Sequence, residues 1–413
     1  MFDRSRLDLL SSGKRLETLD VIRGVAALLV LFRHSPELGI APSSFADTAF
    51  LFVRQIGWIG VDLFFVLSGF LIGALLFREL EKSGTIGLKR FWIRRGMKIW
   101  PSYFAAYGGC VALQLLHHGL TTNATQFRDT ASNAIPNGLF LQNYLDCIPW
   151  PHSWTLAVEE HFYLLLPLLL LLLKPMLFGT RANPNRFIGV ILLICLAILA
   201  MRLHNLSTGR SWKINYYRSH LRMDSLLFGV LSSWAWLRGW FQGPTRWLPW
   251  TSVFLVAAGV LFVWRYPLES GGPTSSIGFS LLFVASASLV LLAALNPQLG
   301  NGCSVWIRAP FHMVSAIGVY SYTIYLAHSI IFFVPGVASA QTQMNQALDS
   351  AGFADSWIQW LNRLLFFAAS IGLGLLLSHT IERPFLRLRS WVMPSCKLVP
   401  PPHWDDMNPA IEN

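Results

Sequence analysis

Apolar runs of about twenty residues recur along this chain, each long enough to cross the hydrocarbon core of a bilayer as a helix. Candidate spans lie at 18–35, 56–77, 99–117, 156–173, 187–203, 221–237, 249–265, 276–295, 313–334 and 361–381. Breaks between them fall at Pro175, at Gly271, Gly272 and Pro273, and at Pro297. Composition supports this reading. Apolar residues make up 54% of the 413 residues and charged ones 13%, about half the usual quarter of a soluble domain. So few charges cannot cover a water-facing surface. The expected fold is an all-α integral membrane protein of about ten transmembrane helices. The stretch from Ala134 to Leu145 is too short and polar to span and is expected to lie at the surface or re-enter.

The net charge is +11, but the basic residues fall between apolar runs rather than on one face, which excludes a nucleic-acid partner and reports topology. Threading the chain from a cytoplasmic N-terminus puts 21 Lys and Arg on the cytoplasmic side, Lys14, Arg15, Arg181 and Lys397 among them, and nine on the other. Both termini are therefore expected inside. The implied organisation is a cytoplasmic segment at 1–17, a transmembrane domain at 18–390 and a cytoplasmic tail at 391–413. The start does not read as a cleaved signal peptide, because mostly polar residues precede the first apolar run and no small-residue cleavage site follows it. Cys110, Cys147, Cys195, Cys303 and Cys396 are scattered, without a C-x-x-C pair, so neither a disulfide framework nor a metal site is expected.

Ionisable residues inside spans are costly and mark function by default. In the first span Arg23 and His34 are eleven positions apart; on a helix they lie about 20° off a common face and about 16 Å apart along the axis, with Asp20 on the same side. Their alternative role is structural, Asp20 and Arg23 pairing at the membrane edge. The second span carries Asp62 about 9 Å in from its outer end, near the depth of His34. The fourth begins with Glu159, Glu160 and His161. One histidine with carboxylates at similar depth is the equipment of general-base chemistry. On the opposite side, Arg90, Arg94, Arg95 and Lys98 precede the third span. Such a run is a topology signal and also suits a ligand with several phosphates.

At these residues the chain resembles acyltransferase family 3, the multi-pass membrane acyltransferases that modify cell-surface glycans. The family's Leu-Asp-Gly-Leu-Arg-Gly, with a His eleven residues after the Arg, is matched by Leu19 to Gly24 and His34. Its Gly-Val-Asp-Leu-Phe-Phe-Val-Leu-Ser-Gly-Phe is residues 60–70 without a change. Trp154 to Tyr163 follows its Trp-Ser-Leu-x-x-Glu-Glu-Gln-Phe-Tyr, with Thr155 for Ser and His161 for Gln. Arg95 to Pro101 follows Arg-x-x-Arg-Ile-x-Pro, with Lys98 for the second Arg. Ser321 to His328, Arg222 to Gly229 and Glu382 to Pro384 also fit.

The resemblance implies an O-acyltransferase, acetyl being the default, that moves an acyl group from cytoplasmic acyl-coenzyme A to a hydroxyl of a glycan or lipid-linked sugar. The donor is then a substrate, no cofactor is permanently bound, and the partners are that donor, the acceptor glycan and the bilayer. Arg23, Arg90, Arg94, Arg95 and Lys98 would hold the donor's phosphates; His34 would be the base, with Asp62 or Glu160 fixing its tautomer. An acyl-His34 intermediate is the other route. Trp58, Trp150 and Trp154 are candidates to stack on sugar rings or to form an interfacial belt. Arg222, Asp224, Tyr325 and His328 are candidates for interhelical hydrogen bonding rather than chemistry. Some family members carry a soluble hydrolase-like domain after the last span, and this membrane domain is expected to act alone or with a partner. The competing class is a proton-coupled multi-pass transporter, disfavoured by the absence of an inverted repeat or paired broken helices.

Overall fold

The computed structural model describes residues 2–11, 16–39, 41–121, 123–145, 151–178, 182–241, 246–297, 304–334 and 336–393. Trp150, Cys147, Cys303, Cys396, Lys14, Arg15, Arg181, Lys397 and the tail beyond 393 lie outside these residues. The described chain is all-helical, without a strand.

Every expected run is helical, but fewer than ten helices meet the demands of a span. Ile59–Ser83, Trp154–Leu177, Pro184–Ser207, Trp247–Arg265, Ile277–Leu295 and Asp355–Val392 are long and apolar enough. A broken pair, Arg308–Val319 and Ser321–Phe332, bent by 74°, makes up to seven. The other three runs fall short for identifiable reasons. Glu17–His34 carries Glu17, Asp20, Arg23 and Arg33. Leu88–Leu120 opens on its basic run, and its uncharged part is diluted by Pro101, Ser102, Gln114, His117 and His118. Met223–Leu237 has 15 residues, about 22 Å against a hydrocarbon core of about 30 Å. Both Glu17–His34 and Met223–Leu237 pack against Ile59–Ser83, whose apolar stretch is mostly buried, whereas Pro184–Ser207, Trp247–Arg265 and Asp355–Val392 expose most of theirs. Leu193, Leu196, Phe254 and Leu364 point outward from these peripheral helices, as side chains facing lipid do.

Close approach explains two glycines of the matched motifs. A Cβ on Gly69 would lie 2.0 Å from the Leu226 carbonyl oxygen, and one on Gly229 would lie 2.1 Å from that of Val66. Ile59–Ser83 and Met223–Leu237 therefore touch backbone to backbone, the small-residue packing that membrane helices use where no hydrophobic force drives them together.

The polar stretch 134–145 has a structural task. It ends the helix Ala124–Gly138 and forms the short helix Gln142–Leu145. Asn137 Oδ1 accepts from Ser153 Oγ at 3.0 Å, Gln142 Nε2 donates to the Ser153 carbonyl at 3.1 Å, and Asn143 Nδ2 donates to the Trp154 carbonyl at 2.9 Å. These bonds brace the turn Pro151–Ser153 and so hold His152 in place.

Candidate functional site

Two cavities lie at opposite ends of the Glu17–His34 helix. The larger, about 440 Å³, is lined by Arg23, Arg95 and Lys98 together with Glu159, Tyr163, Tyr322 and Glu382. Helical periodicity explains why it takes only part of the basic run. Around the axis the four follow the order Arg90, Arg94, Lys98, Arg95 over an arc of about 140°, and the cavity meets only the Lys98–Arg95 edge of that arc. Arg94 Nη1 donates to the Met393 carbonyl at 2.8 Å, and Arg90 is exposed. Neither lines the cavity. Of the five basic residues expected to act together, only Arg23, Arg95 and Lys98 line this cavity. Arg23 is held by Asp20 at 2.7 Å, and the Arg95 guanidinium lies 5.7 Å from the centre of the Tyr163 ring. Tyr163 is fixed in turn by Ser68 at 2.5 Å and by Glu159, whose Oε2 accepts from its hydroxyl at 3.1 Å. Of the two neighbouring carboxylates, Glu159 reaches this cavity; Glu160 instead accepts from Trp100 Nε1 at 3.1 Å.

The smaller cavity, about 130 Å³, holds His34 and His152 among aromatic side chains: Trp58, Trp154, Trp212, Tyr216 and Tyr217. Trp58 and Trp154 are buried in its wall, while Trp212 and Tyr217 are half-buried and present ring surface. His34 Nδ1 lies 2.9 Å from the Val30 carbonyl oxygen, which can only accept, so Nδ1 carries the proton and Nε2 is left as a lone pair. Behind it stands His328, fully buried on the second arm of the bent pair. The three imidazoles sit with ring centres 4.2, 4.9 and 5.1 Å apart.

Val61 and Tyr325 line both cavities and form the wall between them. Tyr325 is pinned there: its hydroxyl donates to the His152 carbonyl at 2.9 Å and pairs with Thr155 Oγ1 at 2.7 Å.

The expected tautomer-fixing role of Asp62 or Glu160 is not what the geometry provides. Asp62 Oδ1 accepts from Arg222 Nη2 at 2.8 Å and from Ser225 Oγ at 3.4 Å, all within the helix bundle. Arg222 lies 3.8 Å above the Phe279 ring, and beside it Arg202 pairs with Asp224. Depth along a span places groups at one level but not around one axis. Asp62 faces Met223–Leu237, and the backbone carbonyl of Val30 orients His34 instead. Arg222 and Asp224 hold helices together, as expected; His328 joins the histidine cluster. The sequence reading missed His152, whose one signal was its position two residues before the Trp154 motif, and Trp212 and Tyr217, which lie in a polar connection.

Residues 16–379 match the acyltransferase 3 model, described as an acyltransferase domain. The chain belongs to the acyltransferase 3 family. Among curated relatives, the peptidoglycan O-acetyltransferase OatA of Listeria monocytogenes is 27% identical over 352 residues, covering 81% of this chain and 52% of that protein. The O-acetyltransferase OatA of Staphylococcus aureus is 28% identical over 244 residues, covering 57% of this chain and 37% of the relative. The chain thus spans about half the length or less of these relatives. No solved structure matches it. Its apolar helices and family membership make it a multi-pass cell-membrane protein.

Proposed function

We propose that this chain moves an acyl group, acetyl in the simplest case, from acyl-coenzyme A to a hydroxyl of a cell-surface or exported glycan. The observation that carries the reading is the pair of cavities back to back across Val61 and Tyr325, with cations in one and histidine and aromatic rings in the other. Arg23, Arg95 and Lys98 suit the donor's phosphates, since guanidinium forks and an ammonium bind phosphate oxygens strongly. An extended pantetheine arm is on the order of 15–20 Å long, comparable to the separation of about 16 Å between Arg23 and His34 that helix rise implies. The thioester then reaches the Tyr325 wall while the nucleotide stays at the other end.

Trp212 and Tyr217 offer faces for a sugar ring. His34 Nε2 takes the proton of the acceptor hydroxyl as its oxygen attacks the thioester carbonyl. The carbon–sulfur bond breaks, the ester forms, and the proton passes to the departing coenzyme A thiolate. In the membrane, the ten helices cross with both termini in the cytoplasm, the Arg23 end inside and the His34 end outside, as the excess of Lys and Arg supports. Peptidoglycan is the first acceptor to try, because the Listeria relative carries that name.

The test uses full-length protein in nanodiscs with labelled acetyl-coenzyme A and muropeptide acceptors. Acceptor-dependent release of free coenzyme A, with label in the glycan ester, is the expected result. Donor turnover that is absent, or unaffected by any glycan, contradicts the reading.

A further inference from the structure

We propose that His34, His152 and His328 form a binding site for a single first-row divalent transition-metal ion, zinc being the best match to three neutral imidazoles. The argument begins with which nitrogens are free. His34 Nδ1 and His328 Nδ1 both face carbonyl oxygens, of Val30 at 2.9 Å and of Tyr325 at 2.5 Å. Each must therefore be an N–H donor, and each Nε2 is a bare acceptor. A backbone carbonyl that fixes the tautomer in this way is the outer support that metal-bound histidines use. His328 Nε2 and His152 Nδ1 are buried without any hydrogen-bond partner. Neutral His152 has one N–H to offer, so the rings cannot satisfy each other. At least one lone pair stays bare, and a cation placed among them satisfies all three.

The distances allow it. One ligand atom from each histidine lies within 4.8 Å of the other two. Even at that limit each nitrogen is about 2.8 Å from the centre, against about 2.0–2.1 Å for a zinc–imidazole bond. Rotation of the rings by well under an ångström at each nitrogen closes the difference. Three different segments supply the ligands, the Glu17–His34 helix, the braced turn Pro151–Ser153 and the arm Ser321–Phe333, so the ion would tie them together. His34 and His152 line the smaller cavity, which gives an entry path and an open fourth position; His328 closes the back. The cations on this side, Arg33 and Arg54, are paired with Glu269 and Glu37, which lessens their repulsion of a metal. The sequence reading expected no metal because it looked for ligands among the scattered cysteines.

One consequence rests on the reading of His34 as base. A bound ion occupies the Nε2 lone pair that takes the acceptor's proton, so metal occupancy and transfer exclude each other.

The experiment titrates cobalt(II) into detergent-solubilised full-length protein freed of metal, reading visible absorption, with zinc competition and elemental analysis. One saturable equivalent with tetrahedral absorption, displaced by zinc, is expected, and His152→Gln and His328→Gln should each weaken it by at least about 100-fold. Cobalt that fails to saturate at one equivalent in the wild-type protein, or binds both variants as tightly, overturns the site. Acyl transfer is measured in parallel. Saturating zinc should abolish it and a chelator restore it. Metal bound at these histidines with transfer unchanged or raised leaves the site standing and removes His34 as base. No metal binding, with transfer lost in His34→Gln, does the reverse.

Discussion

Two groups of ionisable side chains lie inside this bundle, and they differ in whether a cavity reaches them. Asp62, Arg222, Arg202 and Asp224 are fully buried and balance one another in two ion pairs. None of the four lines either cavity. In the cluster of His34, His152 and His328, His152 Nδ1 and His328 Nε2 have no hydrogen-bond partner, and His34 and His152 stand on a cavity wall. Both groups look alike in a string of residues: charge or imidazole inside an apolar run. Ion pairs that no cavity reaches carry the packing of helices, while nitrogens on a cavity wall are what a substrate or an ion meets.

The largest effect should come from breaking a closed pair. Asp62→Asn leaves Arg222 buried without its counter-charge, a loss of about 3–5 kcal/mol. Thermal unfolding in detergent checks this, and replacing Arg222 by Met in the same chain should recover much of the loss. Loss of transfer at full wild-type stability would instead return Asp62 to the active site.

A smaller effect belongs to the donor cavity. Arg95→Ala should weaken acetyl-coenzyme A binding by about 1.5–3 kcal/mol, the value of a charge-assisted phosphate contact, while Arg94→Ala leaves affinity within about threefold. Calorimetry on matched preparations decides. Equal effects from the two would mean that the helix face does not sort the run. Lys98→Arg should be tolerated, since it keeps the charge and adds a fork.

Helix contact should respond next. Gly229→Ala forces apart two backbones that approach within van der Waals distance, costing about 1–3 kcal/mol. Unfolding temperature and yield measure it. An unchanged temperature would show that the two helices separate freely there.

Much of this was legible from the residues. Each of the ten apolar runs is helical, because burying backbone polar groups in lipid leaves few alternatives, while Phe45–Ile56, Ala124–Gly138 and Val337–Ser350 gave no such signal. The spacing of Arg23 and His34 placed them along one side of one helix, since a single continuous helix makes that relation local. What failed was the relation between helices. Asp62 was read by its depth along the span, but rotation about the axis turns it toward Arg222. The 90–98 run was read as one patch, but helical turn spreads it over an arc of about 140° and only its Lys98–Arg95 edge reaches the cavity. His152 was invisible because a turn braced by Asn137, Gln142 and Asn143, from 11 to 16 residues earlier, puts it beside the distant His34. Length and apolarity alone account for six spans, or seven with the bent pair, because the remaining runs are too charged, too polar or too short to qualify by themselves.

The division of labour between the two cavities is tested most directly by His34→Gln, assayed for donor binding and for transfer in one preparation. Gln keeps a hydrogen-bonding side chain but cannot take up a proton near neutral pH. The account predicts normal folding, acetyl-coenzyme A affinity within about twofold of wild type, and transfer to the glycan lowered by about 10²-fold or more. Near-normal transfer by His34→Gln at matched protein levels would contradict it.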